Sequence, residues 1–310
     1  MSQLRPHGEF AFIDWIRGLT PTADRVLIGP GDDAAALHWP GESNVLITTD
    51  MLLEGSCFLL AEAGPHRVGR KAMAVNLSDI AAMAGRPVAA VVSVGLPRKG
   101  GRALAEKLYL GLREMADTFN TAIVGGDTNS WDGPLVINVT LLGEATERGP
   151  VRRGGAYSGD WLLVSGPLGG SILGKHLDFM PRVREALQLH AVADLHAMID
   201  VSDGLAADVW HLCTESRCGA FLRAESIPLT AEAQRINDGR TPLEHGLGDG
   251  EDFELVFAVS PDEGRRLIVT QPVPGITLTH IGECVDQGLW IEEGGRRRPL
   301  EPKGYVHVLE

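Results

Sequence analysis

The stretch Asn76-Leu77-Ser78-Asp79-Ile80-Ala81-Ala82-Met83 places three polar side chains inside an Ala-rich segment, Pro65 to Ala84, whose pattern predicts a helix. Asn, Ser and Asp compete with the helix backbone for hydrogen bonds and lower helix propensity. Such a conflict within a helix is typical of functional sites, where residues are retained for their chemistry although they disfavour the local structure. The stretch therefore predicts a helix that carries part of a site.

Short β-branched segments bounded by Gly, Asp or Pro surround this helix and predict strands. A second helix is predicted over Arg102 to Phe119, because Leu104, Leu108, Leu112 and Met115 form one stripe with steps of three and four. The predicted strands of the first half are Val26 to Ile28, Val45 to Thr49, Val88 to Gly95, Ala122 to Val124 and Leu135 to Leu142. Strands and helices thus interleave.

The second half continues this α/β pattern. Predicted strands are Trp161 to Val164, Ala197 to Asp200, Phe253 to Val259 and Thr277 to Ile281, with a helix over Leu205 to Cys213. Arg148 to Asp160 is rich in Gly and Arg and poor in large apolar residues, so it predicts a domain boundary. We therefore expect an α/β (α+β) fold of two domains, residues 1–148 and 149–310.

Four further acidic clusters accompany Asp79 at the edges of apolar runs. They are Gly31-Asp32-Asp33, Thr48-Thr49-Asp50, Gly125-Gly126-Asp127-Thr128 and Asp200-Val201-Ser202-Asp203-Gly204. Converging carboxylates raise each other's pKa unless cations lie between them. Oxygen ligands of this kind suit Mg²⁺, which completes its coordination with water and substrate phosphates. Together the clusters predict a site for several metal ions and a polyphosphate.

Each cluster also has a purely structural interpretation. The first is typical of a solvated turn, and the second of a strand end or helix cap. We expect Thr48 to Asp50 to end a strand and Gly125 to Thr128 to lie at the C-terminal end of another, where α/β sheets bind ligands. Asp200 to Gly204 is expected at a strand-to-helix junction. Gly166 to Ser171 is predicted to turn into a helix, where it either caps that helix or cradles a phosphate.

Composition excludes several classes of function. The chain has 310 residues and a net charge of −13, which argues against a nucleic-acid partner. Its longest apolar stretch, Val88 to Leu96, is too short to span a membrane, and acidic and basic residues interrupt the N-terminus where a signal peptide would be apolar. A cytoplasmic protein is expected. Cys57, Cys213, Cys218 and Cys284 lack the spacing of a zinc site and are expected to be buried free thiols.

Taken in order along the chain, the motifs resemble the thiamine-monophosphate kinase family. Its superfamily also contains aminoimidazole ribonucleotide synthetase and selenophosphate synthetase. Besides the clusters above, the resemblance includes Gly8-Glu9-Phe10, Ser165-Gly166-Pro167-Leu168-Gly169, Met198-Ile199-Asp200-Val201-Ser202-Asp203-Gly204-Leu205 and Gly250-Glu251-Asp252-Phe253-Glu254-Leu255. It implies ATP-dependent phosphorylation of thiamine monophosphate to thiamine diphosphate with release of ADP. It also implies a homodimer, with a mixed sheet in the N-terminal domain that pairs into a barrel beside a C-terminal α/β domain.

The resemblance assigns roles residue by residue. Asp50 and Asp127 are expected to be central to catalysis. The metal positions are Asp33, Thr48, Thr49, Asp50, Asp79, Asp127, Asp200 and Asp203. The ATP contacts are Tyr109, Gly126, Asp127, Arg153 and Ser202, and the substrate contacts are Cys57, Glu251 and Tyr305. The chain departs from the family at Cys57, where a His is common, because a thiol is a weaker donor and carries no positive charge.

Two other functions stay open at this point. One is another ATP-dependent synthetase of the superfamily, and the other is a non-catalytic regulator that binds nucleotide or metal. The chain has no GxxxxGK[ST] motif, so a P-loop enzyme is not expected.

Overall fold

The computed structural model describes residues 26–28, 32–39 and 44–306. In the first half, a six-stranded sheet has the order β1-β2-β3-β6-β4-β5. Every strand pair in it is antiparallel except β4 and β5, which are parallel. The strands are β1 (Val26–Ile28), β2 (Ala35–His38), β3 (Asn44–Leu53), β4 (Arg86–Pro97), β5 (Ala122–Trp131) and β6 (Val136–Glu144), and the helices are α1 (Leu60–Ala63), α2 (Pro65–Ala82) and α3 (Gly101–Thr118).

A seven-stranded sheet occupies the second half, in the order β13-β12-β9-β11-β7-β10-β8. Its strands are β7 (Trp161–Val164), β8 (Ala197–Asp200), β9 (Gly219–Arg223), β10 (Leu255–Val259), β11 (Thr279–Val285), β12 (Leu289–Glu293) and β13 (Arg296–Pro299). Its helices are α4 (Lys175–Asp178), α5 (Val183–Val192), α6 (Leu205–Ser216), α7 (Ala231–Arg235), α8 (Pro242–Gly248) and α9 (Pro261–Thr270). The mixed α/β class predicted from the sequence is confirmed.

Helix α2 is the element that the two sheets share. It packs against β3 and β6 of the first sheet and β8 of the second. Its backbone also approaches α3 very closely, because a Cβ on Gly69 would lie 2.0 Å from the carbonyl oxygen of Leu108. Pro65 begins the helix, and Ala84 follows its end with a φ of 51°. The predicted helix is therefore confirmed to within two residues, and it holds its polar stretch between the sheets.

Two predicted strand ends are wrong. Thr48 to Asp50 lie inside β3, because pairing with β6 continues to Leu53 opposite Val136. Gly125 to Thr128 lie inside β5, because its parallel pairing with β4 continues to Trp131 opposite Pro97. At Gly126 a Cβ would lie 1.8 Å from the carbonyl oxygen of Val92, so this strand requires glycine there. Asp200 to Gly204 do form the predicted junction, between the end of β8 and the start of α6.

The apolar core crosses between the two halves of the chain. One cluster of buried side chains includes Leu141 of β6, Leu163 of β7 and Phe257 of β10. The domain division after residue 148 stays a prediction, and residues 145–160 join β6 to β7 without helix or strand. Among the described residues, no helix is both long and apolar enough to cross a membrane.

All four cysteines are free thiols, as predicted. Their expected burial is correct for Cys213 and Cys284 but wrong for Cys57 and Cys218, which are only half-buried. Cys57 lies in the short loop between β3 and α1, and Cys218 lies immediately before β9, so both are outside the fully packed layers.

Candidate functional site

Three carboxylates from distant parts of the chain meet beside the C-terminal half of α2. Asp33 precedes β2, Asp79 lies on α2, and Asp200 is the last residue of β8. One oxygen of each lies within 4.8 Å of the others. Three of the acidic clusters therefore converge in space, because α2 packs against strands of both sheets.

Neighbouring hydroxyl groups orient two of these carboxylates. Thr48 Oγ1 donates a hydrogen bond of 2.5 Å to Asp79 Oδ2, and Ser78 Oγ donates one of 2.5 Å to Asp200 Oδ2. Ser78 thus accounts for one polar residue within the helix. Asn76 instead donates to the carbonyl oxygen of Ala72 one turn earlier, at 3.1 Å.

The electrostatics of the cluster favour a bound cation. Burial raises the pKa of Asp200 to about 8, with a further contribution from the charge of Asp33. Burial likewise raises the pKa of Asp50 to about 6. Burial and the charges of Asp50, Asp200 and Asp33 raise the pKa of Asp79 well above its ordinary range. Because ionised carboxylates this close destabilise one another, a divalent cation with a preference for oxygen ligands fits this donor set.

Arg153 supplies a positive charge at the edge of the cluster. Its Nε and one terminal nitrogen donate to the two oxygens of Asp33 at 2.9 and 2.8 Å. Its backbone N–H lies 3.2 Å from both carboxylate oxygens of Asp32. Burial and the charge of Asp33 raise the pKa of Asp32 to about 7. Asp32 thus orients the Arg153 backbone, whereas Asp33 faces the other carboxylates.

A cavity of about 450 Å³ opens beside the carboxylates. Helix α2 lines it with Lys71, Val75 and Asp79, which lie on one face because they are four residues apart. At a rise of about 1.5 Å per residue, Lys71 and Asp79 are separated by roughly 12 Å along the helix. The cavity therefore has an acidic end near Asp79 and a second end near Lys71.

The acidic end also includes the junction between β8 and α6. Asp50, Asp200, Ser202 and Asp203 line the cavity there. Asp208 accepts hydrogen bonds from the N–H groups of Asp203 and Gly204 at 3.1 and 3.0 Å, so it fixes this junction. Sequence reasoning did not single out Asp208, although its position in the first turn of α6 was a signal for it.

The second end of the cavity is built from four segments of the chain. Lys71 Nζ donates to the carbonyl oxygen of Cys57 at 2.8 Å and to Glu251 Oε1 at 2.6 Å. The hydroxyl groups of Ser56 and Tyr305 lie 3.1 Å apart, and the Tyr305 N–H donates to the carbonyl oxygen of Asp203 at 3.0 Å. The predicted substrate contacts Cys57, Glu251 and Tyr305 all line this cavity. Lys71 was missed, although a lysine in an Ala-rich helix two turns before Asp79 was a usable signal.

Other predicted site residues lie elsewhere on the described part of the chain. Gly126 and Asp127 are exposed on β5, and Tyr109 is exposed on α3. Thr49 Oγ1 contacts β6, with 3.1 Å to the carbonyl oxygen of Val139 and 2.9 Å to Thr140 Oγ1. None of these four lines the cavity. The motif residues Gly8, Glu9, Phe10 and Gly31 lie outside the described residues.

Comparisons with known proteins agree with this architecture. Residues 31–145 match the family model described as AIR synthase related protein, N-terminal domain. A thiamine-monophosphate kinase of Rhodopirellula baltica is 41% identical, and the match covers 96% of this chain and 97% of that protein. Another from Aquifex aeolicus is 33% identical over 98% of this chain and 99% of the relative.

Solved structures give the same result. A structure described as AaThiL complexed with AMPPCP and TMP is 30% identical, with a TM-score of 0.79 and coverage of 99% of both chains. A thiamine-monophosphate kinase from Stenotrophomonas maltophilia is 33% identical with a TM-score of 0.74, covering 92% of this chain and 96% of that one. The HypE-HypF complex contains a chain that is 18% identical with a TM-score of 0.72, which shows a shared fold only.

Proposed function

The chain belongs to the thiamine-monophosphate kinase family, and we propose that it transfers the γ-phosphoryl group of ATP to thiamine monophosphate. The products are thiamine diphosphate and ADP. The observation that carries this proposal is the cavity with two unlike ends, one formed by converging carboxylates and the other by Lys71, Glu251 and Tyr305. A solved structure of a relative complexed with AMPPCP, an ATP analogue, and TMP supports both substrates.

Magnesium ions are the cofactor that the acidic end would hold. Asp33, Asp79 and Asp200 already converge, and Asp50 lines the same end. We assign Thr48, Thr49, Asp127 and Asp203 to the same set. When bound, Mg²⁺ neutralises phosphate charge and so reduces the repulsion between two polyanionic substrates. The raised pKa values of the buried carboxylates support this assignment, because burial and the neighbouring carboxylates disfavour the ionised forms, which a bound cation would stabilise.

The chemistry required of the side chains is mainly positioning. The acceptor is a phosphate monoester, which is an oxyanion near neutral pH, so transfer requires no strong general base. We propose direct in-line transfer, in which the chain aligns acceptor and donor phosphates and forms no phospho-enzyme. Asp50 and Asp127 are the residues proposed to be central to this alignment.

Each substrate is proposed to occupy its own part of the site. Glu251, Cys57 and Tyr305 hold thiamine monophosphate at the second end of the cavity, with the Tyr305 ring stacked on the substrate. Arg153, Ser202, Tyr109, Gly126 and Asp127 bind ATP. Arg153 binds Asp33 through Nε and one terminal nitrogen, which holds this cation beside the carboxylates, and we assign its remaining N–H groups to a nucleotide phosphate.

A homodimer is proposed from the exposed face and edge of the first sheet. Apolar side chains are exposed on several of its strands, and Val124 on the edge strand β5 is 65% exposed. The others on this sheet include Met51, Leu53, Val88, Val91 and Leu142. Contiguous exposed apolar surface marks an interaction site, and an unpaired edge strand invites pairing with another chain. A second copy in the cytoplasm would cover this face and the edge strand β5, on which Asp127 is exposed.

The function is tested by ADP release with purified protein, ATP and Mg²⁺, measured with and without thiamine monophosphate. Release that depends on thiamine monophosphate is expected. Release that ignores it, or binding of ATP without turnover, would instead indicate another synthetase of the superfamily or a regulator.

A further inference from the structure

Lys71 is a buried cation inside the substrate cavity. Its side chain is 1% exposed, although it lines the cavity near Glu251. Burying an ammonium group is costly unless hydrogen bonds and a counter-charge compensate it. Lys71 has both, because it donates to Glu251 Oε1 at 2.6 Å and to the carbonyl oxygen of Cys57 at 2.8 Å. A lysine held in this way joins α2 to two separate loops.

One of these loops has a strained backbone. Glu251 and Phe253 have φ values of 52° and 51°, in the left-handed region that side chains other than glycine rarely adopt. Hydrogen bonds from the Glu251 N–H to Ser202 and from the Phe253 N–H to Val201 fix the main chain. Such strain persists only where the surroundings determine the conformation. Lys71 fixes the remaining freedom, which is the direction of the Glu251 carboxylate.

The contact with the other loop does not depend on the side chain at position 57. Lys71 binds the carbonyl oxygen of Cys57, whereas the Cys57 sulfur accepts a hydrogen bond from the Leu53 N–H at 3.5 Å. Replacing the family's His with Cys at this position therefore leaves the Lys71 contact intact. The loop keeps its place, and with it Ser56, whose hydroxyl contacts Tyr305.

We propose that Lys71 is a positioning residue for thiamine monophosphate, holding the Glu251 carboxylate and the Ser56–Cys57 loop in the arrangement that receives the thiamine end. This inference rests on the proposed function, because it assigns to Lys71 the ordering of the site that binds thiamine monophosphate. One oxygen of Glu251 is bound to Lys71, and the other remains available to the substrate. Lys71 is about 12 Å along α2 from Asp79. In Glu251 it contacts only the side chain, whereas the Glu251 main chain is held independently by its hydrogen bond to Ser202, so loss of Lys71 should affect thiamine monophosphate rather than ATP.

The test compares Lys71→Met with Arg70→Met. Both remove one cation from α2, but Arg70 binds Leu177 and lies near Glu114, outside the cavity lining. Lys71→Met is expected to raise KM for thiamine monophosphate by on the order of tenfold to a hundredfold, because small misplacements at a reacting site are costly. KM for ATP should change by less than about twofold, because the substitution removes no contact that is assigned to ATP. Arg70→Met should leave both values unchanged.

A double-mutant cycle with Glu251→Gln measures whether the two residues act as a pair. The double variant is expected to raise KM for thiamine monophosphate by no more than the worse single variant. If the two single-variant increases of KM multiply in the double variant, Lys71 does not act through Glu251. If Lys71→Met fails to fold, Lys71→Gln replaces it in the cycle, because the amide can still donate a hydrogen bond but lacks the charge that pairs with Glu251.

The outcomes separate the inference from the function. An unaltered enzyme that turns over with thiamine monophosphate, beside a Lys71→Met enzyme with unchanged KM for that substrate, overturns the inference alone. Equal increases of KM for both substrates, with a lower midpoint of thermal unfolding, would show a merely structural role and also overturn it. An unaltered protein that neither turns over nor binds thiamine monophosphate in calorimetry overturns both.

Discussion

Ser78 Oγ donates a 2.5 Å hydrogen bond to Asp200 Oδ2, and this contact joins α2 to the last residue of β8. Ser78 and Asp200 are both buried, and they come from the two halves of the chain. The bond therefore fixes Asp200 relative to Asp79, the next residue after Ser78 on α2.

Ser78→Ala is expected to lower both stability and turnover. Removing one partner of a buried hydrogen bond costs about 1–3 kcal/mol, because the other group stays desolvated. Urea unfolding of the metal-free protein measures this change in the free energy of unfolding. Thr118→Ala is the control, since its hydroxyl makes an exposed bond to the carbonyl of Glu114 on α3. An unchanged unfolding free energy in Ser78→Ala would contradict the role of the bond.

Asp50→Asn and Asp127→Asn are expected to reduce turnover by orders of magnitude while the fold stays intact. The amide keeps the shape of the side chain but lacks the charge that the proposed Mg²⁺ site requires. Steady-state ADP release gives the loss of activity, and circular dichroism checks the fold. The two variants probe different parts of the account, because Asp50 lines the cavity whereas Asp127 is exposed on β5. Near-normal activity in either variant would remove that residue from the metal set.

The metal-free protein is expected to lose stability as the pH rises from about 4 to about 8. Burial raises the pKa of Asp50 to about 6 and that of Asp200 to about 8. A raised carboxyl pKa means that the folded state binds more protons than the unfolded state between the two values, so stability falls with rising pH in that window. Thermal unfolding in EDTA measures the slope. Asp200→Asn should reduce the decrease of stability with pH in the upper part of this range. A decrease as steep as in the unaltered protein would contradict the raised pKa of Asp200.

Gly126→Ala is expected to disrupt the pairing of β5 with β4. Its Cβ would lie 1.8 Å from the carbonyl oxygen of Val92, so the strands must separate. Forcing extra atoms into a packed site costs about 1–3 kcal/mol. The neighbouring Gly125→Ala is a matched control, because its Cβ would meet its nearest atom, Val91 Cγ1, at 3.9 Å. Equal midpoints of thermal unfolding for the two variants would contradict this packing.

The sequence predicted α2 and its polar stretch well because local pattern determines both. The Ala-rich composition that follows Pro65 indicates the helix, and the misfit of Ser78 and Asp79 within it marks the site. The ends of β3 and β5 could not be predicted in the same way. Polar Thr and Asp residues read as strand ends, but pairing with β6 and β4 extends these strands beyond them.

Contacts between distant residues were the other limit. Lys71 and Glu251 are 180 positions apart, and local sequence carries no signal for their ion pair. The resemblance assigned Glu251 to the substrate, yet only the fold shows which cation orients it. The same holds for Arg153 and Asp33, which were assigned separately to nucleotide and metal and are bound to each other here.

We propose that the cavity brings a phosphate donor at the carboxylate end together with thiamine monophosphate at the Lys71 end. Initial rates of ADP release from ATP and Mg²⁺, with and without thiamine monophosphate, test it most directly. ADP release should require thiamine monophosphate, yield thiamine diphosphate in equal amount and be lost in Asp50→Asn. Equal rates of release with and without thiamine monophosphate would contradict it.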